Sequence, residues 1–248
     1  MILHLSSWPE VDEYLTQQSA ILIPIGSTEQ HGPTGLIGTD ALCPEIIAQR
    51  VSAATGLMVG PTFNVGIAPH HMGFAGTMSL RPETMKAVMH DWVSSLAQHG
   101  FDRVYFLNGH GGNVSTIRAS FEELHQDPVL SQPSDNRRAV VCKLANWWGF
   151  APVLDFCRST YGAAHGAHAT PSEVAITYAA YPEHQKQAKL DPQIAPMSRY
   201  GDAQDYRAKF PDGRMGSDPS LATVEDGEHL IELSAENVGA DFKDFAQS

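Results

Sequence analysis

Three apolar runs frame the chain: Ala20-Ile21-Leu22-Ile23-Pro24-Ile25-Gly26, Arg103-Val104-Tyr105-Phe106-Leu107-Asn108 and Ala139-Val140-Val141-Cys142-Lys143-Leu144. None shows the in-and-out alternation of a half-solvated strand, so each predicts a strand covered on both faces. Residues 40–54, 82–98 and 113–125 carry helical spacing, and a short amphipathic stretch at 11–17 precedes the first run. Strands alternating with helices of this length imply β-α units and a mostly parallel sheet, with right-handed crossovers covering both faces. Residues 181–219 depart from the pattern, with Pro182, Pro192, Pro196, Pro211 and Pro219 and no sustained period. They predict an ordered excursion, a lid or a subunit contact. Asp218-Pro219 reads as a cap and first helical position, opening a closing helix that runs to about Phe245. No repeat or composition shift divides the chain, so one domain over residues 1–248 is expected.

Composition narrows the function classes. Apolar residues make up 42% of the 248 positions and charged residues 18%, which excludes a disordered chain. Sixteen Lys and Arg against 28 Asp and Glu give a net charge of −12, a field that repels phosphate backbones and anionic membranes. Neither nucleic acid nor membrane is expected as a partner. Cys43, Cys142 and Cys157 offer no C-x-x-C spacing, so neither a disulfide framework nor a thiolate zinc site is readable and a reducing compartment is expected. The first residues lack a basic n-region, and no apolar stretch approaches the length of about 20 residues that spans a bilayer. The expectation is a cytoplasmic protein. Twelve histidines are the unusual entry.

In α/β sheets ligands bind beyond the carboxyl ends of the strands. The first run leads directly into Ser27-Thr28-Glu29-Gln30-His31-Gly32-Pro33, where Glu29 and His31, two apart in an extended segment, leave the same face. Gly38-Thr39-Asp40 then sets a carboxylate at a helix start. Asp40 read alone could be a simple N-cap and His31 a hydrogen-bonded loop histidine. Asn108-Gly109-His110-Gly111-Gly112-Asn113 surrounds one histidine with three glycines, which let the backbone approach a ligand closely. With no phosphate-loop pattern and no nearby lysine, metal is preferred to phosphate there. The third cluster is His165-Gly166-Ala167-His168-Ala169-Thr170-Pro171-Ser172-Glu173. His168 and Glu173 are too far apart for one helical face and straddle a loop and the first turn of a helix running on through Tyr178; read alone, this segment is mostly structural. Together the clusters supply carboxylates and imidazoles, the donors that zinc, iron or manganese accept.

These segments, with Gly73-Phe74-Ala75-Gly76-Thr77 between them, resemble the creatininase (creatinine amidohydrolase) family in the family's order, over residues 8–222. The resemblance implies a three-layer α/β/α sandwich, a homohexamer, and two divalent metals per subunit, zinc first and manganese or iron as alternatives. By it Glu29, His31, Asp40, His110 and Glu173 match the metal ligands, with Asp40 as the bridge. His168 matches a histidine beside the metals that contacts substrate or moves a proton. His71, Gly111, Gly112, Trp147 and Trp148 are candidates for substrate contact. Creatininases proper carry a glutamate two residues after the equivalent of His110, where this chain has Gly112, and the family's H-A-G-E-x-E-T-S stretch reads here with Pro171, Val174 and Ala175. Those departures weigh against creatinine itself. They favour a metal-dependent amidohydrolase cleaving a non-peptide C–N bond of a small cyclic amide or formamide. The alternatives are a peptidase-like maturation enzyme that trims a small peptide, or a non-catalytic metal-binding homologue. The remaining histidines, His4, His90, His99, His125, His184 and His229, are expected to be ordinary solvated side chains.

Overall fold

The computed structural model describes residues 1–135 and 137–248. In chain order its elements are α1 (Trp8–Leu15), β1 (Ala20–Ile25), α2 (Thr39–Thr55), β2 (Met58–Val59), α3 (Pro82–Gln98), β3 (Arg103–Asn108), α4 (Val114–Gln126) and α5 (Pro128–Ser131). There follow β4 (Val141–Asn146), α6 (Ala151–Tyr161), α7 (Pro171–Ala180), α8 (Ala203–Lys209) and α9 (Val224–Gln247). Among the described residues the strands form one sheet of order β2-β1-β3-β4, parallel throughout.

Alternate residues of the strands feed two cores. Ala20, Leu22, Tyr105 and Leu107 pack with Ile47 and Val51 of α2, Ile176 of α7 and Leu230, Val238 and Phe242 of α9. Ile21, Ile23, Ile25, Val104 and Phe106 pack on the other face with Met85, Met89 and Val93 of α3 and Ile117 of α4. Burying both faces is what makes the first two runs continuous in the sequence; β4, at the edge of the sheet, departs from the expectation, being only half-buried with Val141 exposed. Each fully buried aliphatic or aromatic side chain contributes about 1.5–3 kcal/mol. This is the expected α/β/α sandwich, and no helix of the described residues is long and apolar enough to cross a membrane.

Several boundaries differ from expectation for physical reasons. The third run is a strand at 141–146, two residues later than its apolar signal, because Val140 instead donates its N–H to Leu130 O in the preceding turn. β2 has only two residues and leaves no periodic trace. α6 went unanticipated, since its aromatic-rich start continues the apolar run of the strand before it. The closing helix opens at Thr223, whose hydroxyl accepts the Asp226 N–H at 3.0 Å; Asp218 caps only the short turn Pro219–Leu221.

β1 and β3 lie side by side at the point where chain direction through the sheet switches, and the crevice beyond their carboxyl ends is where such folds bind ligands. Pro44, inside α2, lacks the N–H that would bond the Asp40 carbonyl, and the residues ending the two strands press against that carbonyl. A Cβ on Gly26 would lie 2.1 Å from Asp40 O, and one on Gly109 would lie 1.9 Å from it. Both positions therefore require glycine, and Asp40 is pinned where β1 and β3 end. Gly109→Ala is expected to lower unfolding free energy by about 1–3 kcal/mol, the usual cost of overpacking. Urea denaturation checks this, and unchanged stability would mean that the strand ends and α2 are not in firm contact.

Candidate metal centre

The side chains nominated from three distant stretches converge at this crevice. Asp40, on the first turn of α2, is favoured there by the helix N-terminus. Its Oδ1 lies 2.9 Å from His31 Nε2, and its Oδ2 lies 2.8 Å from His110 Nδ1. Glu29 Oε2 is 3.3 Å from His110 Nε2, while Glu173 Oε1 is 3.8 Å from His31 Nε2. Two triads suited to a cation result, Glu29 with Asp40 and His110, and His31 with Asp40 and Glu173. Asp40 belongs to both, the position of a bridge. A further group joins Glu29, His31 and His168.

Neighbouring carbonyls orient the imidazoles. His31 Nδ1 donates to Glu29 O at 3.0 Å and His110 Nε2 donates to Ile67 O at 2.9 Å. Each bond fixes one ring nitrogen as a donor and aims the other, His31 Nε2 or His110 Nδ1, at Asp40, the arrangement by which backbone acceptors prepare ligating histidines. Asn108 and Asn113 hold the glycine-rich loop. The Asn108 amide donates to His110 O at 2.6 Å, and the Asn113 amide donates to Gly26 O at 2.9 Å. Gly112 has a structural reason of its own, because a Cβ there would come within 2.4 Å of His110 Nε2. Ala169, at φ 53°, turns the chain from His168 into α7, where Thr170 and Glu173 form a capping box. The Thr-x-x-Glu spacing is a legible sign of that cap. Glu173 accepts the Thr170 N–H through Oε1 at 2.6 Å, so it serves the helix as well as facing the centre.

The cluster is desolvated and charged. Burial and the Asp40 charge push Glu29 up to about 8, against the pull of His110 and His31. Burial alone would lower His31, but Asp40, Glu173 and Glu29 hold it up to about 10. His110 is likewise held up to about 9 by Glu29 and Asp40 in spite of burial. Asp40 is buried yet stays well below the usual carboxylate range, because both imidazoles face it. Burial pushes Glu173 up to about 7. Burial, with neighbouring histidines, drives His71 and His168 well below the ordinary imidazole value, so both are neutral. Glu29 Oε1 and Oε2 and Asp40 Oδ2 are buried without an aligned hydrogen bond, and their nearest polar neighbours are the imidazoles of His71 and His110. Buried carboxylate oxygens that share so few aligned donors favour a positive partner in the pit. With carboxylates and imidazoles around them and no thiolate, the donor set fits a divalent cation of the zinc or manganese kind.

The pit forms the floor of a cleft of ≈ 650 Å³. Trp148 and Leu154 wall one part, and Tyr200, Tyr206 and Met215 of the proline-rich excursion wall another. Gly111 and Gly112 reach the cleft, as does His168. Trp147 touches it but is 2% exposed and belongs mainly to the core. His71 is also 2% exposed, with Nε2 3.2 Å from Glu29 Oε1, so it backs the centre more than it faces the cleft. Gln30, Tyr200 and Tyr206 escaped sequence reasoning. Gln30 lay inside a motif read for its neighbours, and the tyrosines lie in a stretch without periodicity.

A family model described as creatinine amidohydrolase matches residues 4–241. A mycofactocin precursor peptide peptidase from Mycobacterium ulcerans (strain Agy99) is 27% identical over 91% of this chain and 81% of its own length. A 3-dehydro-scyllo-inosose hydrolase from Thermotoga maritima is 34% identical over 49% of this chain and 40% of its own. Among solved structures, one titled E122Q mutant creatininase, Zn-Zn type, superposes with TM-score 0.84 at 20% identity, covering 100% of this chain and 98% of that one. That likeness establishes the fold. With the family model spanning nearly its whole length and the cluster seated where the family motifs fall, this chain belongs to the creatininase family.

Proposed function

We propose that this protein is a metal-dependent amidohydrolase that cleaves a non-peptide C–N bond of a small cyclic amide or formamide. The observation that carries this reading is the pair of triads sharing Asp40, with buried carboxylate oxygens left unsatisfied. Glu29, Asp40 and His110 would hold one cation, and His31, Asp40 and Glu173 the other. When bound, such cations polarise a carbonyl and bring the pKa of water towards neutrality. Zinc or manganese suits these donors.

The protein's own groups supply the rest. His168 Nε2 lies 2.7 Å from Gln30 O, a carbonyl that can only accept, so its proton sits on Nε2 and Nδ1 is bare. Nδ1 lies 3.8 Å from Glu29 Oε1, at the floor of the cleft. Water adding to the amide carbon loses a proton to Nδ1. The same nitrogen returns it to the leaving amine as the C–N bond breaks. The His31 ring packs against the His168 ring at a tilt of 42°, with centroids 4.5 Å apart, and crowds its rotation. Tyr206 and Trp148 narrow access to bulk water.

A cleft of ≈ 650 Å³ suits a small molecule. A second reading, a peptidase acting on a small peptide, is favoured by the near full-length relative named as a peptidase. A rate screen of cyclic amides, formamides and short peptides, run with zinc or manganese restored, separates the two by which class turns over.

Asp40→Ala is expected to lose both cations while keeping its circular dichroism spectrum; wild-type metal content by elemental analysis would refute the bridge. His168→Ala is expected to retain metal and lose about 10²–10⁴-fold in kcat on the best substrate of that screen, the usual contribution of a positioned acid–base group. An unchanged kcat would assign the proton to another group. Because His31 and His110 are held up to about 10 and 9 in the metal-free cluster, cation uptake at pH 7 must displace protons. Manganese affinity should therefore rise from pH 6.5 to 8.5. Calorimetry in two buffers of different ionisation heat checks it, and zero proton release would contradict these protonation states.

A further inference from the structure

We propose that His71 is a positioning residue for Glu29, and that Gln30 fixes this role by tying His71 to Gly213 of the 181–219 excursion. The inference rests on Glu29 as a cation ligand, and a count of protons carries it. The Gln30 side-chain oxygen accepts the Gly32 N–H at 2.8 Å, so the amide nitrogen is the end that meets the other neighbours. That nitrogen lies 2.9 Å from His71 Nδ1, 2.9 Å from His168 Nε2 and 2.9 Å from Gly213 O. Flipping the amide would set oxygen against the Gly213 carbonyl and nitrogen against the Gly32 N–H.

An amide nitrogen has two protons for these three neighbours. His168 Nε2 already carries a proton for Gln30 O, so it takes none from the amide. The two amide protons go to Gly213 O and His71 Nδ1. His71 is thus bare at Nδ1, and as a neutral ring it keeps its proton on Nε2, the nitrogen 3.2 Å from Glu29 Oε1. In that tautomer its Nε2 N–H faces the carboxylate across 3.2 Å, an attractive contact though not an aligned hydrogen bond, and Nε2 cannot compete for a cation. Stacking on His168 at 4.2 Å and the edge of Tyr206 at 4.7 Å hold the ring in place.

The far end of the chain of bonds is equally constrained. Gly213 sits at φ +88°, and a Cβ there would lie 1.9 Å from Gln30 Oε1. Its carbonyl accepts a second bond from the Tyr206 hydroxyl at 2.9 Å. The proline-rich excursion therefore supports the centre without supplying a ligand. It sets the Gln30 amide, which sets the His71 tautomer, which orients Glu29.

The test titrates metal-free protein with Zn²⁺ by calorimetry, since outer-shell partners of ligands typically alter affinity 10–100-fold. His71→Phe removes the donor but keeps an aromatic ring, and should weaken one binding step by about 10–100-fold. His71→Gln restores an N–H at the Nε2 position and should bind near wild type. Gln30→Leu should weaken binding as His71→Phe does and add nothing further in the His71→Phe background, because both act through one interaction. Wild-type affinity in His71→Phe would overturn the proposal, as would a His71→Gln variant as weak as His71→Phe. Should His71→Phe not fold, Gln30→Leu decides, with intact affinity overturning the proposal. Imidazole ¹⁵N spectra give an independent reading: the proton on Nε2 of His71 is expected, and a proton on Nδ1 overturns the tautomer. Wild-type protein that takes up no Zn²⁺ would overturn the ligand assignment and this proposal together, an outcome distinct from failure in the variants alone.

Discussion

A carboxylate buried where two strands end must be matched by positive charge, and the Asp40 carboxylate is held in that position by the backbone itself. Gly26 and Gly109 allow the ends of β1 and β3 to close on its carbonyl, and Pro44 removes the helical N–H that would otherwise occupy it. The carboxylate cannot retreat to solvent. In the metal-free protein two imidazoles facing it supply the balancing charge, which is why His31 and His110 hold their protons so firmly. On the proposed reading, a cation displacing those protons would meet candidate donors already in position, so little reorganisation would oppose binding.

The surroundings follow from that constraint. Main-chain carbonyls of Glu29, Ile67 and Gln30 each take a proton from one ring nitrogen of His31, His110 and His168, leaving the other nitrogen of each ring directed inward. Asn113, at the far end of the glycine-rich loop, accepts the Ile67 N–H and donates to the Gly26 carbonyl, which keeps those two segments in register with the loop. The excursion after α7 covers the centre on one side and reaches it through Gln30. Rigidity of this kind suits hydrolysis, where a water, a carbonyl and a proton carrier must meet within a fraction of an ångström.

Much of this was legible in the amino-acid sequence. The first two unbroken apolar runs located β1 and β3, because burial on both faces leaves no other pattern, while the third, at the half-buried sheet edge, fell two residues short of β4. Glu29, His31, Asp40 and His110 stood out because imidazoles and carboxylates clustered directly after such runs. Glu173 and His168 were less plain, since the Thr170 cap explains Glu173 without any ligand. What stayed hidden has a common cause. β2 is too short for a period, and Gln30, Tyr200, Tyr206 and Gly213 act through contacts between segments far apart in the chain, which leave no local signature. His71 was read as a candidate for substrate contact, whereas its ring turns towards Glu29.

Substrate choice belongs to the cleft walls, where Trp148, Leu154 and Tyr200 come from segments that the shared motifs do not specify. On the proposed reading the chemistry belongs to the floor, where Asp40 would serve two cations at once. Electron paramagnetic resonance of the manganese-loaded protein reads this directly, since two ions about 3.5–4 Å apart, as in other two-metal sites, are exchange-coupled. The account predicts a coupled multiline spectrum at two equivalents per chain. An isolated six-line signal that saturates at one equivalent would contradict it.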